Sequence, residues 1–325
     1  MAQQSWAADS GATGFRATVE ISKKVVHAAQ PLQQFRQFVS VEPAFGKQKG
    51  ESVQIYRALN TDVAEDTADI NELDRIPTTR VSVTPRLITI GEQGRAIDFT
   101  GKVETLAEVD VESNVYLKAL RNHMAKSLDY RVGAVFKTSD ICAIPTSATA
   151  ITWDVDGTAS TAATSNITAK HVKDIVDAMK KGVFGANTGR PIPPYDGESY
   201  VCIASVTFLR GLKDDPDYEV AAKYAHPDEL YRGEVGKFYG VRFVEQTHTT
   251  ILSEGTGTGS VLGEAVFFGE DPVREIVAIP EEIRTKLPGD YGRDKGLAWY
   301  SMLGWGRVWD FSGDSEEHIV RVTSS

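Results

Sequence analysis

The stretch TLAEVDVESNVYLKALRNHMAKSLDYRVGAVFK, residues 105–137, has the hydrophobic pattern of one long helix. Its apolar residues recur mostly every three or four positions and so share one helical face: Leu106, Val109, Leu117, Leu120, Met124, Leu128, Val132 and Val135. Thr105 and Glu108 have the spacing of a capping box, which predicts that the helix begins at Thr105. Polar residues indicate the opposite face: Lys118, Asn122, Lys126 and Asp129. Such a helix is roughly 45 to 50 Å long, which suits a structural spine better than a pocket wall.

The composition is that of a globular chain. Its 325 residues, 41% of them hydrophobic, can form one large domain or two compact ones with a real core. The net charge of -10 argues against a nucleic-acid-binding surface, which would normally be basic. Cys142 and Cys202 have no metal-ligand spacing and are predicted to be reduced core residues. Neither a signal peptide nor a long apolar span is apparent, so we expect a soluble chain.

The region before the helix contains an arm and a hairpin. Residues 1–20 are small and polar, and residues 21–41 have apolar positions at helical spacing, which predicts a two-part helix interrupted by Pro31. Its apolar face would pack on its own domain or on a neighbouring subunit. Alternating apolar residues then predict a strand from residue 52 and a second at 81–90, broken by Pro85.

The connection between these strands, residues 60–79, is long and acidic. It contains six carboxylates: Asp62, Glu65, Asp66, Asp69, Glu72 and Asp74. Connections of this length are uncommon in compact domains and are usually functional or mobile. The competing interpretation is a solvated surface loop, which is the usual role of a run of charges.

The C-terminal half mixes helices and strands. The pattern predicts helices at 168–181, ending at Gly182, and at 205–212, and strands at 200–204, 241–244, 261–268 and 273–279. Glu281 and Glu282 follow Pro280 and are predicted to start a helix. One further strand is expected to carry its bulky residues on a single face: Leu297, Trp299, Leu303, Trp305, Trp309 and Phe311. Gly304 and Gly306 would allow a bulge or another backbone to approach closely.

The motifs of common chemistry are missing from the sequence. The six histidines have no metal-binding spacing, and no serine lies in G-x-S-x-G. The segment 154–157 begins like a calcium loop, but Ala163 stands where the closing glutamate is needed. The glycine-rich segment 254–259 lacks the lysine of a phosphate loop. We therefore predict no catalytic residue, no metal ligand and no cofactor-binding residue.

Three segments carry a family resemblance. DYGRDKGLAWY (290–300), followed by GWG (304–306), resembles the C-terminal signature of a family of tailed-bacteriophage major capsid proteins. The similarity extends back through FFGEDPV (267–273) and GKFYGV (236–241). The order of arm, long hairpin loop, spine helix and mixed domain also agrees with that family. These motifs are structural, and no catalytic residue anchors them.

The resemblance implies an α+β protein with the shell fold shared by tailed phages and herpesviruses. Its parts would be an N-terminal arm (1–50), an extended β-hairpin loop reaching over a neighbouring subunit (51–102), a peripheral domain with the spine helix (103–167), a mixed α/β axial domain (168–284) and strands that return to the peripheral domain (285–325). The implied function is structural: self-assembly through hexamers and pentamers into an icosahedral shell around double-stranded DNA.

The working residues of such a protein lie at subunit interfaces. Our candidates are Phe35, Arg36 and Phe38 in the arm, Glu65, Asp66, Asp69 and Asp74 in the loop, and Tyr291, Arg293 and Asp294 in the signature. For the arm residues the alternative is the subunit's own core, and for the loop acids it is a solvated surface. The signature residues could instead hold a turn through a local ion pair.

The implied partners are other copies of the chain, a portal, cement proteins and packaged DNA in weak, non-specific contact, with no membrane involved. The arm begins almost at Met1, so we expect any scaffold to be a separate protein or a segment already removed. Two other hypotheses stay open from the sequence: a bacterial nanocompartment shell that encloses an enzyme, and a soluble cytoplasmic hydrolase. The location expected from the resemblance is the virion capsid, assembled in the host cytoplasm.

Overall fold

The computed structural model describes residues 34–42, 50–59, 70, 72, 75–76, 81–107, 112–218, 234–248, 251–252 and 263–325. Its helices are α1 (Gly101–Leu106), α2 (Leu117–Phe136), α3 (Ala169–Lys181), α4 (Val206–Lys213) and the single-turn α5 (Phe311–Asp314). Its strands are β1 (Ser40–Glu42), β2 (Ser52–Leu59), β3 (Ser82–Thr89), β4 (Gly91–Thr100), β5 (Ile141–Pro145), β6 (Ile151–Asp154), β7 (Val183–Phe184), β8 (Asn187–Thr188), β9 (Tyr200–Ser205), β10 (Glu234–Phe238), β11 (Val241–Gln246), β12 (Gly263–Phe268), β13 (Arg274–Thr285), β14 (Asp294–Gly306) and β15 (Ile319–Ser324). The predicted α+β class is confirmed.

A seven-stranded mixed sheet forms the larger core, in the order β10-β11-β9-β12-β15-β5-β6. Helices α3 and α4 cover one face, where Val172, Ile175 and Phe208 are fully buried in the same cluster as Cys202 and Phe267. The other face packs against the C-terminal part of α2 through Val132 and Phe136. Because both faces are covered, β9 and β12 are buried along their whole length, which explains their continuous apolar sequences.

A four-stranded sheet, β1-β13-β14-β4, packs against the middle of α2. Leu120 and Leu128 of α2 are buried with Leu297, Trp299 and Leu303 of β14, so the predicted aromatic face of this strand is confirmed as far as its end at Gly306. Two residues of the predicted face lie beyond the strand. Trp309 stacks on His318, and Phe311 begins a helical turn and packs against Phe184.

The prediction of one helix beginning at Thr105 is wrong. Helix α1 ends at Leu106, Ala107 is extended, residues 108–111 lie outside the described residues, and a π-helical turn at Glu112–Tyr116 leads into α2. Thr105 lies in the last turn of α1, where its hydroxyl donates to the Gly101 carbonyl at 2.8 Å and caps nothing. The apolar periodicity continues across this break, which is why the pattern did not reveal it.

Two strands continue where the sequence predicted interruptions. Glu281 and Glu282 lie in β13 and start no helix, because register shifts on either side of Ile279 accommodate Pro280 within the strand. Likewise β3 runs through Pro85, which pairs with Tyr56 in a two-stranded hairpin, where a missing N–H can be tolerated at an outer edge. The hairpin is therefore regular over eight residues in each strand.

The arm prediction is also corrected. Residues 21–33 of the helix predicted at 21–41 lie outside the described residues. The remaining residues of that prediction form a 3-10 turn at Arg36–Phe38, followed by strand β1. Strand β1 pairs in parallel with β13, so the end of the arm is part of the four-stranded sheet.

Several local predictions are confirmed. Helix α3 is capped by Thr168 and ends at Gly182, which has a positive φ of 68°, and the Ser205 hydroxyl accepts from Phe208 N at the start of α4. Both cysteines are reduced and buried. A Cβ on Gly304 would lie 2.7 Å from the Thr89 carbonyl oxygen, so the predicted close approach of another backbone occurs where the hairpin joins the sheet.

The sheets do not follow every predicted domain boundary. The predicted axial domain is 168–284, and it contains most of the seven-stranded sheet. Strands β5 and β6 come before these bounds and β15 comes after them, yet all three belong to that sheet. Strand β4 belongs to the four-stranded sheet, so the two-stranded part of the hairpin ends at Thr89. None of the helices in the described part of the chain is both long enough and apolar enough to cross a membrane.

Candidate functional site

No cluster of His, Cys, Asp or Glu side chains within the described ranges could hold a metal ion. The features that stand out are instead the places where the arm, the hairpin and the signature turn attach to the subunit. Each attachment determines how a projecting segment is held relative to the two sheets.

The arm is held by a buried carboxylate on α2. Asp129 is 1% exposed, and its Oδ1 accepts hydrogen bonds from the backbone N–H groups of Phe35 at 2.9 Å and Arg36 at 3.2 Å. Its Oδ2 accepts from Gln246 Nε2 at 3.4 Å. Burial raises the pKa of Asp129, and the two backbone donors oppose that rise. The sequence placed Asp129 on the polar face opposite the apolar stripe, and the structure instead buries it.

Arg36 ties the same turn to β13. Its guanidinium donates to Glu275 at 2.8 Å and to Glu281 at 2.7 Å. The hydrogen bond from Arg36 lowers the pKa of Glu281. Since Glu275 is buried and Arg36 is one-third exposed, this charge-assisted network lies at the edge of the core, where it fixes the direction in which the arm leaves the body.

The two arm phenylalanines pack on their own chain. Phe35 is fully buried, with its ring centroid 5.5 Å from that of Phe136. Phe38 lies 5.3 Å from Phe268 and 5.7 Å from Tyr195. Phe35 therefore exposes no surface to a neighbouring copy and acts by positioning the arm. An interface role for Arg36 and Phe38 stays a prediction.

The hairpin is attached through a group of charged residues that we call the hairpin cluster: Arg57, Arg86, Asp140, Arg307, Asp310, Asp314 and Glu317. Arg57 of β2 is 7% exposed, forms an ion pair with Asp314 and donates to the Val308 carbonyl at 2.9 Å. Arg86 of β3 donates to Asp310 at 3.0 Å. Both strands are thereby fixed to the segment that follows β14.

The deeper half of the hairpin cluster is centred on Arg307. This guanidinium forms ion pairs with Glu317 and, at 3.2 Å, with Asp140. Glu317 is 2% exposed, and burial raises its pKa to about 8, although the charge of Arg307 opposes that rise. Two carboxylates share one guanidinium here, so the fully ionised cluster is costly in a buried position.

Glu317 is expected to make the subunit less stable as the pH rises. The folded state holds its proton up to about pH 8, whereas the unfolded chain releases it near the ordinary value of 4.5, so the folded state binds more protons between these limits. The free energy of unfolding should fall by up to about 1.4 kcal/mol per pH unit across that window. Urea unfolding of Glu317→Gln should show a flatter dependence from pH 5 to 8. Glu316→Gln is the matched control, and parallel curves for wild type and Glu317→Gln would contradict the prediction.

The acidic loop candidates Glu65, Asp66, Asp69 and Asp74 lie outside the described residues. The hairpin that carries this loop exposes several large apolar side chains: Tyr56, Val83 and Leu87, at 69%, 55% and 61%. An interface role for the four acids stays a prediction.

The signature residues form a protruding turn at the start of β14. Asp290 and Tyr291 both have positive φ, 47° and 55°, which is unusual for residues other than glycine. Arg293 lies 3.4 Å from Asp290, and Asp294 accepts from Lys286 at 2.7 Å. Arg293 and Asp294 thus make the local ion pairs of the alternative interpretation. The ring of Tyr291 is fully exposed and packs on no part of the described chain.

Sequence reasoning missed Asp129 and Arg57, and each had a signal. Asp129 has the i, i+3, i+7 spacing with Val132 and Phe136 that places it on a buried stripe of α2. Arg57 continues the inward alternation of Val53 and Ile55 in β2. A charged residue at an inward position requires a buried partner, but the sequence does not identify that partner.

No family model matches the chain, and no curated protein matches its sequence. Solved structures match it over nearly its whole length. The acid-stable capsid of Helicobacter pylori bacteriophage KHP30 is 10% identical with a TM-score of 0.67, and the match covers 97% of both chains. The capsid of cyanophage Pam1 is 14% identical with a TM-score of 0.66, over 96% of this chain and 98% of that one. The capsid of Ralstonia phage GP4 is 13% identical with a TM-score of 0.65, over 97% of both.

At these identities the similarity shows the fold. The chain has the phage capsid shell fold, so the resemblance inferred from its C-terminal signature is confirmed at that level.

Proposed function

We propose that this chain, which has the phage capsid shell fold, is a major capsid protein that self-assembles through hexamers and pentamers into an icosahedral shell enclosing double-stranded DNA. The observation that supports this best is the extent of the structural match, which covers 97% of both this chain and the KHP30 capsid chain. The similarity is not confined to one motif or one sheet. It includes the arm and the hairpin, which have no obvious use in an isolated subunit.

The exposed hairpin favours assembly. Tyr56, Val83 and Leu87 each expose more than half of their surface on one two-stranded ribbon. Burying apolar surface stabilises a contact by roughly 25 cal/mol per Å², and in a closed shell each contact is repeated by symmetry. A modest contact per subunit therefore adds up to a stable particle.

The rigid attachments favour assembly for a geometric reason. A closed shell requires projecting segments to reach their neighbours at defined angles. Asp129 fixes the base of the arm, and Arg57, which lies opposite Thr84 toward the loop end of the ribbon, fixes the hairpin along its length. Both act through buried charged groups, so neither segment can swing freely. This arrangement pre-organises the subunit and lowers the entropy that each contact costs.

The proposed interface residues are divided among three segments. Arg36 and Phe38 would act at the base of the arm, and Tyr291, Arg293 and Asp294 at the signature turn. Glu65, Asp66, Asp69 and Asp74 would act in the hairpin loop by pairing with basic groups of a neighbour. Phe35 would support the first group from inside the core.

The role proposed is structural, without catalysis and without a cofactor. The partners are other copies of the chain, a portal, a separate scaffold and cement proteins. Packaged DNA would be held only weakly, in keeping with the net charge of -10. The place of function is the virion capsid, assembled in the host cytoplasm.

Negative-stain microscopy and light scattering of the purified chain test this proposal, first alone and then after co-expression with its neighbouring genes. We expect closed shells, or hexameric and pentameric rings. A stable monomer under both conditions would overturn the proposal. If the shells enclose an enzyme, and no terminase or portal gene lies beside the gene for this chain, the protein is a nanocompartment shell and not a DNA-filled capsid.

A further inference from the structure

Two links join the two sheets, and both cross the same gap. The first, residues 269–273, leads from β12 to β13, and the second, residues 307–318, leads from β14 to β15. The strands that they join are paired on each side of the gap, β12 with β15 and β13 with β14, up to the residues that flank the links. The second link, which we call the connector, has twelve residues where the first has five. Because of this surplus length, contacts with other segments must fix the path of the connector.

Part of the connector is held by the seven-stranded sheet and the elements packed on it. The ring of Phe311 lies 5.9 Å from that of Phe184, which is buried in the larger core. The backbone N–H of Arg190 donates to the Ser315 carbonyl at 2.8 Å. Arg307 adds the ion pairs of the deeper half of the hairpin cluster. One side of the connector is therefore fixed to the part of the subunit that contains the seven-stranded sheet.

The hairpin has two different contacts along its inward face. Near the base of the ribbon this face is apolar, and Ile55 and Ile88 pack in one cluster with Ile276 of the four-stranded sheet. Further toward the loop the same face is charged, and Arg57 and Arg86 reach the connector. One ribbon therefore contacts the four-stranded sheet at its base and the connector beyond it.

The charged contact holds the connector at three points. Arg57 donates to the Val308 carbonyl and forms an ion pair with Asp314, and Arg86 donates to Asp310. Moving the hairpin away would leave the buried Asp314 carboxylate without its counter-charge, which is strongly unfavourable. We therefore expect the hairpin and the connector to move together.

Helix α2 is the other element that contacts both sheets, and it lies on the opposite face of the four-stranded sheet from the hairpin. Leu303 of β14 packs in the cluster that contains α2, whereas the adjacent Met302 packs in the cluster that contains the hairpin. A helix on one face alone resists a change in the angle between the sheets less than attachments on both faces do. The hairpin supplies the second attachment.

We propose that the hairpin acts as a strut between the two sheets, so that its position and the angle between the sheets change together. The apolar contact attaches it to the four-stranded sheet, and the charged contact attaches it, through the connector, to the seven-stranded sheet. The inference rests on the proposed function in one respect: a neighbouring copy that held the hairpin in a new position would change the angle between the sheets. By linkage, a change in that angle would alter how strongly the hairpin binds the neighbour.

Distances between two spin labels test the strut in the full-length chain. Leu287→Cys places one nitroxide in the exposed turn between β13 and β14, and Lys180→Cys places the other at the exposed end of α3. Cys142 and Cys202 are fully buried and should stay unlabelled. Diluting the labelled chain into excess unlabelled chain restricts the measured distances to single subunits, whether or not particles form. The chain without further substitutions should give one narrow distance distribution by double electron–electron resonance.

Three substitutions release the hairpin from the connector without leaving Asp314 unpaired: Arg57→Ala, Arg86→Ala and Asp314→Ala. Together they should broaden the distance distribution between the sheets about twofold. The matched control is Glu282→Ala with Arg284→Ala, which removes an exposed ion pair of the four-stranded sheet and should leave the width unchanged. If the triple variant does not fold by circular dichroism, Arg86→Ala alone should produce a smaller change in the same direction.

A second label pair, Val83→Cys with Lys180→Cys, reports the position of the hairpin itself and should broaden in the same variants. An unchanged distance distribution between the sheets in the folded triple variant would overturn the proposal, whether or not the hairpin pair broadens. So would equal broadening in the control variant. Failure of the wild-type chain to assemble would count against the proposed function, while the label distances would still decide whether the hairpin joins the two sheets.

Discussion

Replacing Arg57 with alanine is expected to destabilise the subunit by about 3 to 5 kcal/mol, because it leaves the buried Asp314 carboxylate without its counter-charge. Arg57 and Asp314 are 7% and 2% exposed at their side chains, and the Val308 carbonyl loses its donor at the same time. The pair joins the hairpin to the chain after β14, so the hairpin should also lose its fixed orientation. Urea unfolding of the dissociated subunit measures the first effect, and the yield of particles measures the second.

A double variant separates the cost of an unpaired charge from the worth of the pair. Arg57→Met with Asp314→Leu replaces both charged groups with apolar ones and should be more stable than Arg57→Ala alone. Arg86→Ala removes the more exposed pair with Asp310 and should cost roughly 1 kcal/mol. If Arg57→Ala costs no more than Arg86→Ala, the buried pair does not anchor the hairpin.

Replacing Asp129 with alanine is expected to cost about 2 to 4 kcal/mol and to release the base of the arm. The change leaves the N–H groups of Phe35 and Arg36 without an acceptor, and the first of these lies in the core. Urea unfolding measures the loss. Tryptic cleavage after Arg36 should become faster, because the turn that contains it is no longer held to α2.

Asp129→Asn provides a graded test, since its amide oxygen can still accept from the arm but carries no charge. Its stability should lie between those of the wild type and the alanine variant. Asp174→Ala, which removes an exposed carboxylate from α3, is the control and should change stability by less than about 0.5 kcal/mol. An unchanged cleavage rate after Arg36 in Asp129→Ala would show that Asp129 does not secure the arm.

The parts of this protein that sequence reasoning predicted depend on residues close together in the chain. Thr168 and Gly182 begin and end α3, and Ser205 caps α4, because a capping side chain and the backbone groups it serves lie within one helical turn. The alternation of Leu297, Trp299 and Leu303 indicated the buried face of β14, because a strand reverses sides at every residue.

Fewer residues of the candidate site could be predicted from the sequence in this way. Of the residues expected at interfaces, Phe35 lies in the core and the four loop acids are outside the described residues. The residues that hold the arm and hairpin were not predicted at all. Their roles depend on which distant segments meet, and local patterns report only that a position faces inward.

The sequence alone determined the α+β composition of this protein, the limits of α3, the start of α4, the buried face of β14, and the C-terminal signature that indicated the shell fold. Tertiary structure decided where the spine helix begins, that Asp129 is buried, and that Arg57 pairs with Asp314. The physical reason is sequence separation: Asp129 lies 94 residues from Phe35, and Arg57 lies 257 residues from Asp314. A single sequence records each of these residues but not the pairing, which exists only once the two sheets and α2 have packed.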